Sequence, residues 1–216
     1  MNIPVLHALS LLHRCSSAAL GTHSVAVPGY PFVTVLPFAP GPDHSPWLLM
    51  SSLAEHSRNA QADPRVSLLL QAPADDVLQQ ARMTLVGELQ QARPDAALQA
   101  RLLRYCPEFA QYLALGDFSF YRLSLRALRF IGSFGHMGWV QATAWQAIPQ
   151  LDLAAEAAML PALAAPGAHI SVLGADCHGV DYRVHGQRQR LDFGEAVPAA
   201  QLLARTQAAL AAGELR

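Results

Sequence analysis

The sequence predicts an α+β protein, mainly antiparallel β, in which about six strands curl into a small barrel with flanking helices. Segments rich in β-branched and aromatic residues recur between turn-rich connections in the first two thirds of the chain. Helical periodicity is confined to a few stretches. After residues 141–150 an Ala/Leu-rich pattern surrounds three short strands. We therefore predict a barrel domain over residues 1–145 and a small C-terminal α+β domain over residues 146–216.

The elements of the barrel domain follow from local patterns. Apolar residues at helical spacing predict a first helix from Pro4 to Leu20, ended by Gly21. A helix over 53–62 ends before Pro64, because the residue preceding a proline disfavours helix. A helix over 94–115 is expected to break near Pro107. Strands are predicted at 32–38, 47–51, 66–70, 81–90 and 118–125, with 129–134 as the hairpin partner of the last.

The C-terminal domain is predicted from weaker patterns. A helix over 151–165 is expected to break or restart around Pro161, and a final helix covers 197–212. Strands are predicted at 169–173, 180–184 and 188–193. About seventy residues bury little core, so this domain is expected to pack on the barrel.

The composition excludes several function classes. The chain has 216 residues, 52% of them hydrophobic and only 14% charged, which indicates a substantial core and a surface partly covered by a second copy. All fifteen basic residues are arginine, a usage typical of GC-rich bacterial genomes, so Schiff-base chemistry and lysine general bases are excluded. A net charge of −1 with no basic run gives no footprint for nucleic acid.

The cysteines and the N-terminus predict a cytoplasmic protein. Cys15, Cys106 and Cys177 are far apart and odd in number, as expected for free thiols. The first residues are too polar for a secretory leader, and no apolar run reaches the ~18 residues of a membrane span.

The most informative stretch runs from Trp47 to Leu70, where an apolar strand gives way to a short helix. Hydroxyls, imidazole and guanidinium converge at this turn, together with the free N–H groups of a helix start, and such groups bind phosphate. The residues are Ser51, Ser52, His56, Ser57 and Arg58. Nucleotide-binding glycine motifs, a nucleophile elbow and paired metal ligands are all missing, so the sequence indicates no catalytic residue and no metal site.

Simpler explanations exist for the same residues. Ser51 and Ser52 could cap the helix that follows. Arg58 could pair with Glu55 or Asp63 on a solvated face. Asn59 is expected to make structural hydrogen bonds, and Arg65 is expected to face solvent.

Several motifs resemble the FMN-binding split barrels related to pyridoxamine 5′-phosphate oxidase. They are GYPFVTVL at 29–36, LMSS at 49–52, HSRN at 56–59, DPRVSLLL at 63–70 and RMTLVG at 82–87. The segments GDFSFYRL at 116–123 and FIGSFGHMGW at 130–139 resemble the haem-utilisation branch more closely. The tail, GADCHGVDYRV at 174–184 and RLDF at 190–193, is similar to a small C-terminal domain often attached to that branch.

The resemblance implies a six-stranded split β-barrel that forms a homodimer with FMN at the interface. His56 stands where many relatives have lysine, so phosphate affinity is expected to fall as pH rises. Residues 33–35 would follow the flavin ring with backbone contacts, and residues 82 and 84 would reach its phosphate or polar edge. The implied cofactor-binding residues are Val33, Thr34, Val35, Met50, Ser51, Ser52, His56, Ser57, Arg58, Arg82 and Thr84.

The branch also implies haem. Asp117 could be a simple turn residue, or its carboxylate could orient an axial ligand near a haem site. Candidate haem ligands are His136, His169, His178 and His185. The segment 151–163 contains no histidine, unlike the Asn–Asp–His-type opening of the branch's C-terminal domain.

Three functions remain open at this point. The first is a flavin-dependent oxidoreductase of a small molecule, in which the flavin carries the redox chemistry. The second is a haem-binding or haem-degrading protein on the same barrel, and the third is a flavin-binding module without turnover.

Overall fold

The computed structural model describes residues 5–71, 80–132, 137–163 and 170–212. It contains two compact units, residues 1–147 and 148–216, so the boundary lies two residues after the predicted position. The first unit holds α1 (Val5–Arg14), β1 (Ser17–His23), β2 (Pro31–Pro40), β3 (Pro46–Ser51), α2 (Glu55–Ala62), β4 (Arg65–Gln71), β5 (Arg82–Gln91), α3 (Ala96–Tyr105), α4 (Phe109–Leu113), β6 (Phe118–Ile131), β7 (Met137–Gln141) and α5 (Ala142–Gln146).

The strands of the first unit form one antiparallel sheet in the order β3-β2-β1-β4-β5-β6-β7. β3 also pairs with β6, so six strands close into a barrel, and β7 lies beside β6 outside the ring. This confirms the predicted barrel. Each buried leucine of its core contributes about 1.5–3 kcal/mol relative to an exposed one. The fully buried core includes Leu20, Phe38, Leu48, Leu68, Leu85 and Leu128.

The predicted first helix is too long. The helix ends at Arg14, and Ser17–His23 form a central strand paired with both β2 and β4. The segment SAALGTH has little intrinsic β propensity, but hydrogen bonds to two neighbours outweigh that preference. Gly21 lies inside this strand, and a Cβ there would come within 2.6 Å of the Ser67 hydroxyl.

The predicted hairpin of 118–125 with 129–134 is also wrong. Phe118–Ile131 form one fourteen-residue strand, and its partners are β3, β5 and β7. The stretch from Leu125 to Arg129 contains no residue that favours a turn, so the strand continues through it. Phe134, the predicted end of the hairpin, lies outside the described residues.

The helices otherwise follow the predictions closely. The break near Pro107 separates α3 from α4. α2 begins at Glu55, two residues later than predicted, and ends before Asp63 and Pro64. Among the described helices, none has the length and hydropathy that a membrane crossing requires.

Asn59 of α2 is structural, as predicted. Its side chain is buried, accepts the Val25 N–H at 2.9 Å and donates to the Thr22 hydroxyl at 3.1 Å. These bonds hold the end of β1 and the loop after it against the helix.

The second unit contains α6 (Leu153–Leu163), β8 (Ile170–Asp176), β9 (Gly179–Val184), β10 (Gln187–Asp192) and α7 (Ala199–Ala211). Its sheet has the order β10-β9-β8, and the three strands lie close to the predicted positions. The helix α6 continues through Pro161, where a break was expected. The apolar core of this unit is formed by Leu151, Met159, Leu163, Ala175, Cys177, Val180 and Leu202.

A buried ionic network lies in this sheet. The guanidinium of Arg190 is fully buried and donates to Asp176 at 2.9 Å, Asp181 at 2.8 Å and Asp192 at 2.8 Å. The charges of Asp176 and Asp181 hold the pKa of Arg190 above its usual value, although burial opposes this. Buried charges of this kind are tolerated only when they are paired.

Candidate functional site

The structure forms the predicted turn from strand to helix after Trp47. β3 ends at Ser51, three residues follow, and α2 begins at Glu55. The Ser52 N–H donates to the Asp117 carbonyl at 2.9 Å, which places this turn against the start of β6. We call the set Ser51, Ser52, His56, Ser57 and Arg58 the phosphate corner.

The helix-capping explanation of the two serines is wrong. The N-cap of α2 is Ala54, and no side chain caps it. The Ser51 hydroxyl instead accepts the Leu53 N–H at 3.1 Å and donates to the carboxylate of Asp117. Asp117 therefore bonds to Ser51 where β3 pairs with β6 and closes the barrel. Its side chain thus has a specific partner, which a simple turn residue would not need.

The other residues of the phosphate corner differ in access. Ser57 is fully buried, and its hydroxyl has no hydrogen-bond partner among the described residues. Arg58 is exposed, and no described ion pair joins it to Glu55 or Asp63. Asp63 pairs instead with the exposed Arg65 at 2.5 Å. Arg58 is thus available to an anion.

His56 contributes little positive charge to the phosphate corner. Burial lowers the pKa of His56 below its ordinary value of 6.5. The imidazole is therefore mainly neutral at pH 7. A neutral imidazole can still donate one hydrogen bond, but it cannot replace the charge of a lysine.

Four further predicted residues share a second surface. Directly opposed residues in antiparallel strands point to the same face, so the register defines that surface. Val33, Val35, Arg82 and Thr84 project outward from the barrel, whereas Thr34 points to the opposite side of β2. Met50 is buried in the interior. The outward sheet face consists of Ala19, Gly21, Val33, Val35, Ser67, Leu69, Arg82, Thr84, Val86, Ala127, Arg129, Ile131, Met137 and Trp139.

The outward sheet face is apolar and shallow. Val35 is 68% exposed and Trp139 56% exposed, at opposite sides of the face. Small side chains such as Ala19 and Thr84 lie between them. The Arg129 guanidinium lies over the Trp139 ring, 6.0 Å from its centroid. An apolar face of this extent is typical of an interaction surface.

A third cluster, which the sequence reasoning missed, surrounds Asp117. Leu53 is 74% exposed and Leu115 is 67% exposed, and Tyr112 is also exposed and packs on Phe118 with ring centroids 5.1 Å apart. We call Leu53, Tyr112, Leu115, Asp117 and Phe118 the Asp117 patch. The sequence offers one signal for this patch, because Leu53 begins one predicted helix and Leu115 ends another, next to Ser51 and Asp117.

Of the predicted haem-ligand histidines, the two that the structure describes lie at opposite ends of β9. His178 is buried in the second unit, and its backbone N–H donates to the Asp176 carboxylate at 2.7 Å. His185 lies in the exposed turn between β9 and β10 with a left-handed backbone, φ 47°. His136 and His169 lie outside the described residues.

Residues 5–147 match the family described as "CREG, beta-barrel". The chain belongs to this family of split barrels. The predicted relation to the split barrels of pyridoxamine 5′-phosphate oxidase-like proteins is thereby confirmed.

Two solved structures match almost the whole chain at 25% identity. A protein of unknown function from Agrobacterium tumefaciens has a TM-score of 0.79 and covers 94% of this chain and 93% of its own. A structure described as a heme binding protein from Mycobacterium smegmatis has a TM-score of 0.61, with 97% and 96% covered.

A curated relative comes from a plant. It is the chloroplastic non-canonical heme oxygenase HOZ of Arabidopsis thaliana, 33% identical over 130 residues. The match covers 59% of this chain and spans 40% of the plant protein's length.

Proposed function

We propose that this protein binds haem and that the Asp117 patch forms part of the site. The observation that carries the proposal is the exposure of Leu53, Tyr112 and Leu115 around a hydrogen-bonded carboxylate. A porphyrin is planar and largely apolar, so it gains from covering such side chains. Its propionates can pair with a cation at the rim or stay in water, and Arg58 lies in the first turn of the neighbouring helix.

The comparisons support haem over other ligands of this fold. A structure that matches nearly the full chain and a plant relative both carry haem in their names. Asp117 could also orient an axial ligand of haem, because a carboxylate can accept a hydrogen bond from an imidazole that binds a metal. Haem would supply the metal and the light absorption, while the chain's own residues bind and orient it.

We further propose that the protein is a homodimer and that the outward sheet face is the interface. Val33, Val35, Leu69 and Trp139 are exposed there, and a second copy would remove them from water. The low content of charged residues agrees with a surface that is partly covered. The small side chains in the middle of the face would let the two sheets approach closely.

FMN with oxidoreductase activity on a small molecule is the second candidate. Arg58 is exposed and remains as a donor for a phosphate, whereas the Ser57 hydroxyl beside it lacks a partner among the described residues but is fully buried. Two features oppose the binding of a phosphate dianion. The Ser51 hydroxyl already donates its hydrogen bond to the carboxylate of Asp117, and His56 is mainly neutral. A bound flavin would supply the redox chemistry, and a flavin-binding module without turnover would use the same residues.

Haem titration followed by absorption spectroscopy tests the first proposal. We expect a saturable Soret band for the wild type and at least tenfold weaker binding for Leu53→Asp and Leu115→Asp, because each places a charge on the apolar patch. Val27→Asp is the matched control, since Val27 is an exposed valine in the loop between β1 and β2. Equal weakening by all three changes, or no Soret band at all, would refute a site at the Asp117 patch.

The flavin and dimer proposals have separate readouts. Purified protein that is yellow, or that quenches added FMN fluorescence, would favour the flavin function, and reduction by NADH or NADPH would distinguish an oxidoreductase from a carrier. Light scattering should give twice the monomer mass, and Val35→Arg should halve it. If the wild-type protein has the mass of a monomer, the dimer proposal is wrong. The haem proposal does not depend on this result, because haem titration tests it separately.

A further inference from the structure

A cavity in the first unit lies away from the surfaces described above. It has a volume of about 250 Å³ and is enclosed by the β2–β3 connection, the middle of β6 and α5. Its lining includes Ser124, six residues along β6 from Phe118. At the rise of a β-strand this separation is about 20 Å. The cavity is therefore distinct from the Asp117 patch.

Asp43, the one carboxylate among the described residues that line this cavity, is already hydrogen-bonded. The Asp43 carboxylate accepts the Ser45 hydroxyl at 2.6 Å and the Ser45 N–H at 3.3 Å, and it also accepts Nη2 of Arg122. Burial raises the pKa of Asp43, but the hydrogen bond from Ser45 and the charge of Arg122 outweigh burial and leave it below its usual range. Asp43 thus stays ionised and fully paired.

The loop that carries these groups is rigid. Gly41 N–H donates to the Ser45 carbonyl at 2.8 Å, and His44 N–H donates to the Gly41 carbonyl at 3.0 Å. His44 has a left-handed backbone, φ 59°, which is uncommon for a residue with a side chain. Such a conformation persists where the surroundings enforce it, and it occurs often at binding sites.

Donor groups, in contrast, remain available. Arg122 uses Nε for the Ser45 hydroxyl and Nη2 for Asp43, so the edge formed by Nη1 and the second Nη2 hydrogen is unused among the described residues. Ser124 and Gln146 add an exposed hydroxyl and an amide. The indole N–H of Trp47 is buried without a hydrogen-bond partner among the described residues.

The indole N–H of Trp47 lies next to the same polar cluster. A Cβ on Gly41 would be 2.8 Å from Trp47 Nε1 and 2.7 Å from Asp43 Oδ1. A side chain at position 41 would have to displace these polar side chains, so glycine there lets them lie close together. The remaining walls are apolar and include Leu85, Leu125 and the buried indole of Trp145.

We propose that this cavity binds a small carboxylate with an apolar body. The unused edge of a guanidinium matches a carboxylate in a bidentate geometry. The charge and the N–H groups of that edge select a ligand that accepts hydrogen bonds. The volume admits about one aromatic ring with its substituent, and the indole of Trp145 with the leucines covers the apolar part.

Benzoate, benzamide and acetate are suitable probes. The chain has three tryptophans, so the indole N–H resonances of Trp47 and Trp145 can be followed by NMR after assignment with Trp→Phe variants. We expect benzoate to shift these two resonances saturably. Benzamide, which lacks the charge, should bind at least tenfold more weakly.

Variants of β6 locate the site. Arg122→Gln should weaken benzoate binding tenfold or more, and Ser124→Asp should abolish it, because the new carboxylate repels the ligand and competes for the free edge of Arg122. Arg126→Gln is the matched control, because Arg126 is exposed on the same strand outside the cavity lining. If Arg122→Gln does not fold, Ser124→Asp decides alone. Benzoate binding that survives Ser124→Asp, equal affinity for benzamide, or no saturable shift would overturn the proposal.

Discussion

Replacing Arg190 by methionine should unfold the second unit. The Arg190 side chain is completely buried and donates to Asp176, Asp181 and Asp192. Methionine fills much of the same volume but removes every one of these bonds. It therefore removes the Arg190 charge from Asp176 and Asp181, which are 3% and 0% exposed.

The expected loss is large compared with the stability of this unit. Removing one partner of a buried ion pair costs about 3–5 kcal/mol, because the remaining charge is left uncompensated. Residues 148–216 number sixty-nine. At roughly 0.05–0.15 kcal/mol per residue, their total stability is about 3–10 kcal/mol. The substitution should consume much or all of it.

Amide hydrogen exchange measures this loss locally. The amides of β8, β9 and β10 should lose protection in Arg190→Met, while the barrel amides of the same sample serve as an internal reference. Gln187→Met is the control, since Gln187 is exposed on the same strand. Adding Asp181→Asn to Arg190→Met should restore part of the protection, because it removes one uncompensated charge. The reasoning is refuted if Arg190→Met exchanges like Gln187→Met.

Three further predictions concern the barrel. Asn59→Ala should cost about 1–3 kcal/mol in urea unfolding, because it leaves buried polar groups without partners, whereas Arg58→Ala on the same helix should change little. Gly87→Ala should destabilise by about 1–3 kcal/mol, because its Cβ would lie 2.1 Å from the Ser124 carbonyl; unchanged stability would show that β5 shifts freely there. His56, whose pKa is lowered by burial, should titrate below 6.5 by NMR, so the stability it contributes is present at neutral pH and is lost as pH falls. Anion affinity at the phosphate corner should then change little between pH 7 and 8.5, and a titration above 6.5 would contradict this.

The parts of the fold that the sequence predicted are those where local preference and final structure agree. The strand at 65–71 is rich in branched residues and bounded by Asp-Pro, so its pattern alone identified it. β1 was missed because SAALGTH is a strand only by virtue of its two neighbours. The single strand β6 was divided in two because a fourteen-residue strand is much longer than usual.

The turn at the end of β3 was predictable in position, but its internal bonds were not. Residue types there predict an anion site, and the structure shows the turn that carries them. The pairing of Ser51 with Asp117 spans sixty-six positions and depends on the closure of the barrel between β3 and β6. No local pattern contains such information. The burial of Ser57 likewise depends on how α2 packs.

The charge at this end of the barrel favours one kind of ligand over another. Arg58 supplies one positive charge, Asp117 can supply one negative charge, and His56 is mainly neutral, so the phosphate corner has little net attraction for an anion. A flavin phosphate would have to bring its charge into that corner beside the carboxylate. A porphyrin would bring its apolar body to Leu53 and Leu115 and could leave its propionates in water. Because the chain has no lysine, a ligand that is bound mainly through its apolar surface suits it better than one that needs several cations. His56→Lys should therefore strengthen FMN binding far more than haem binding.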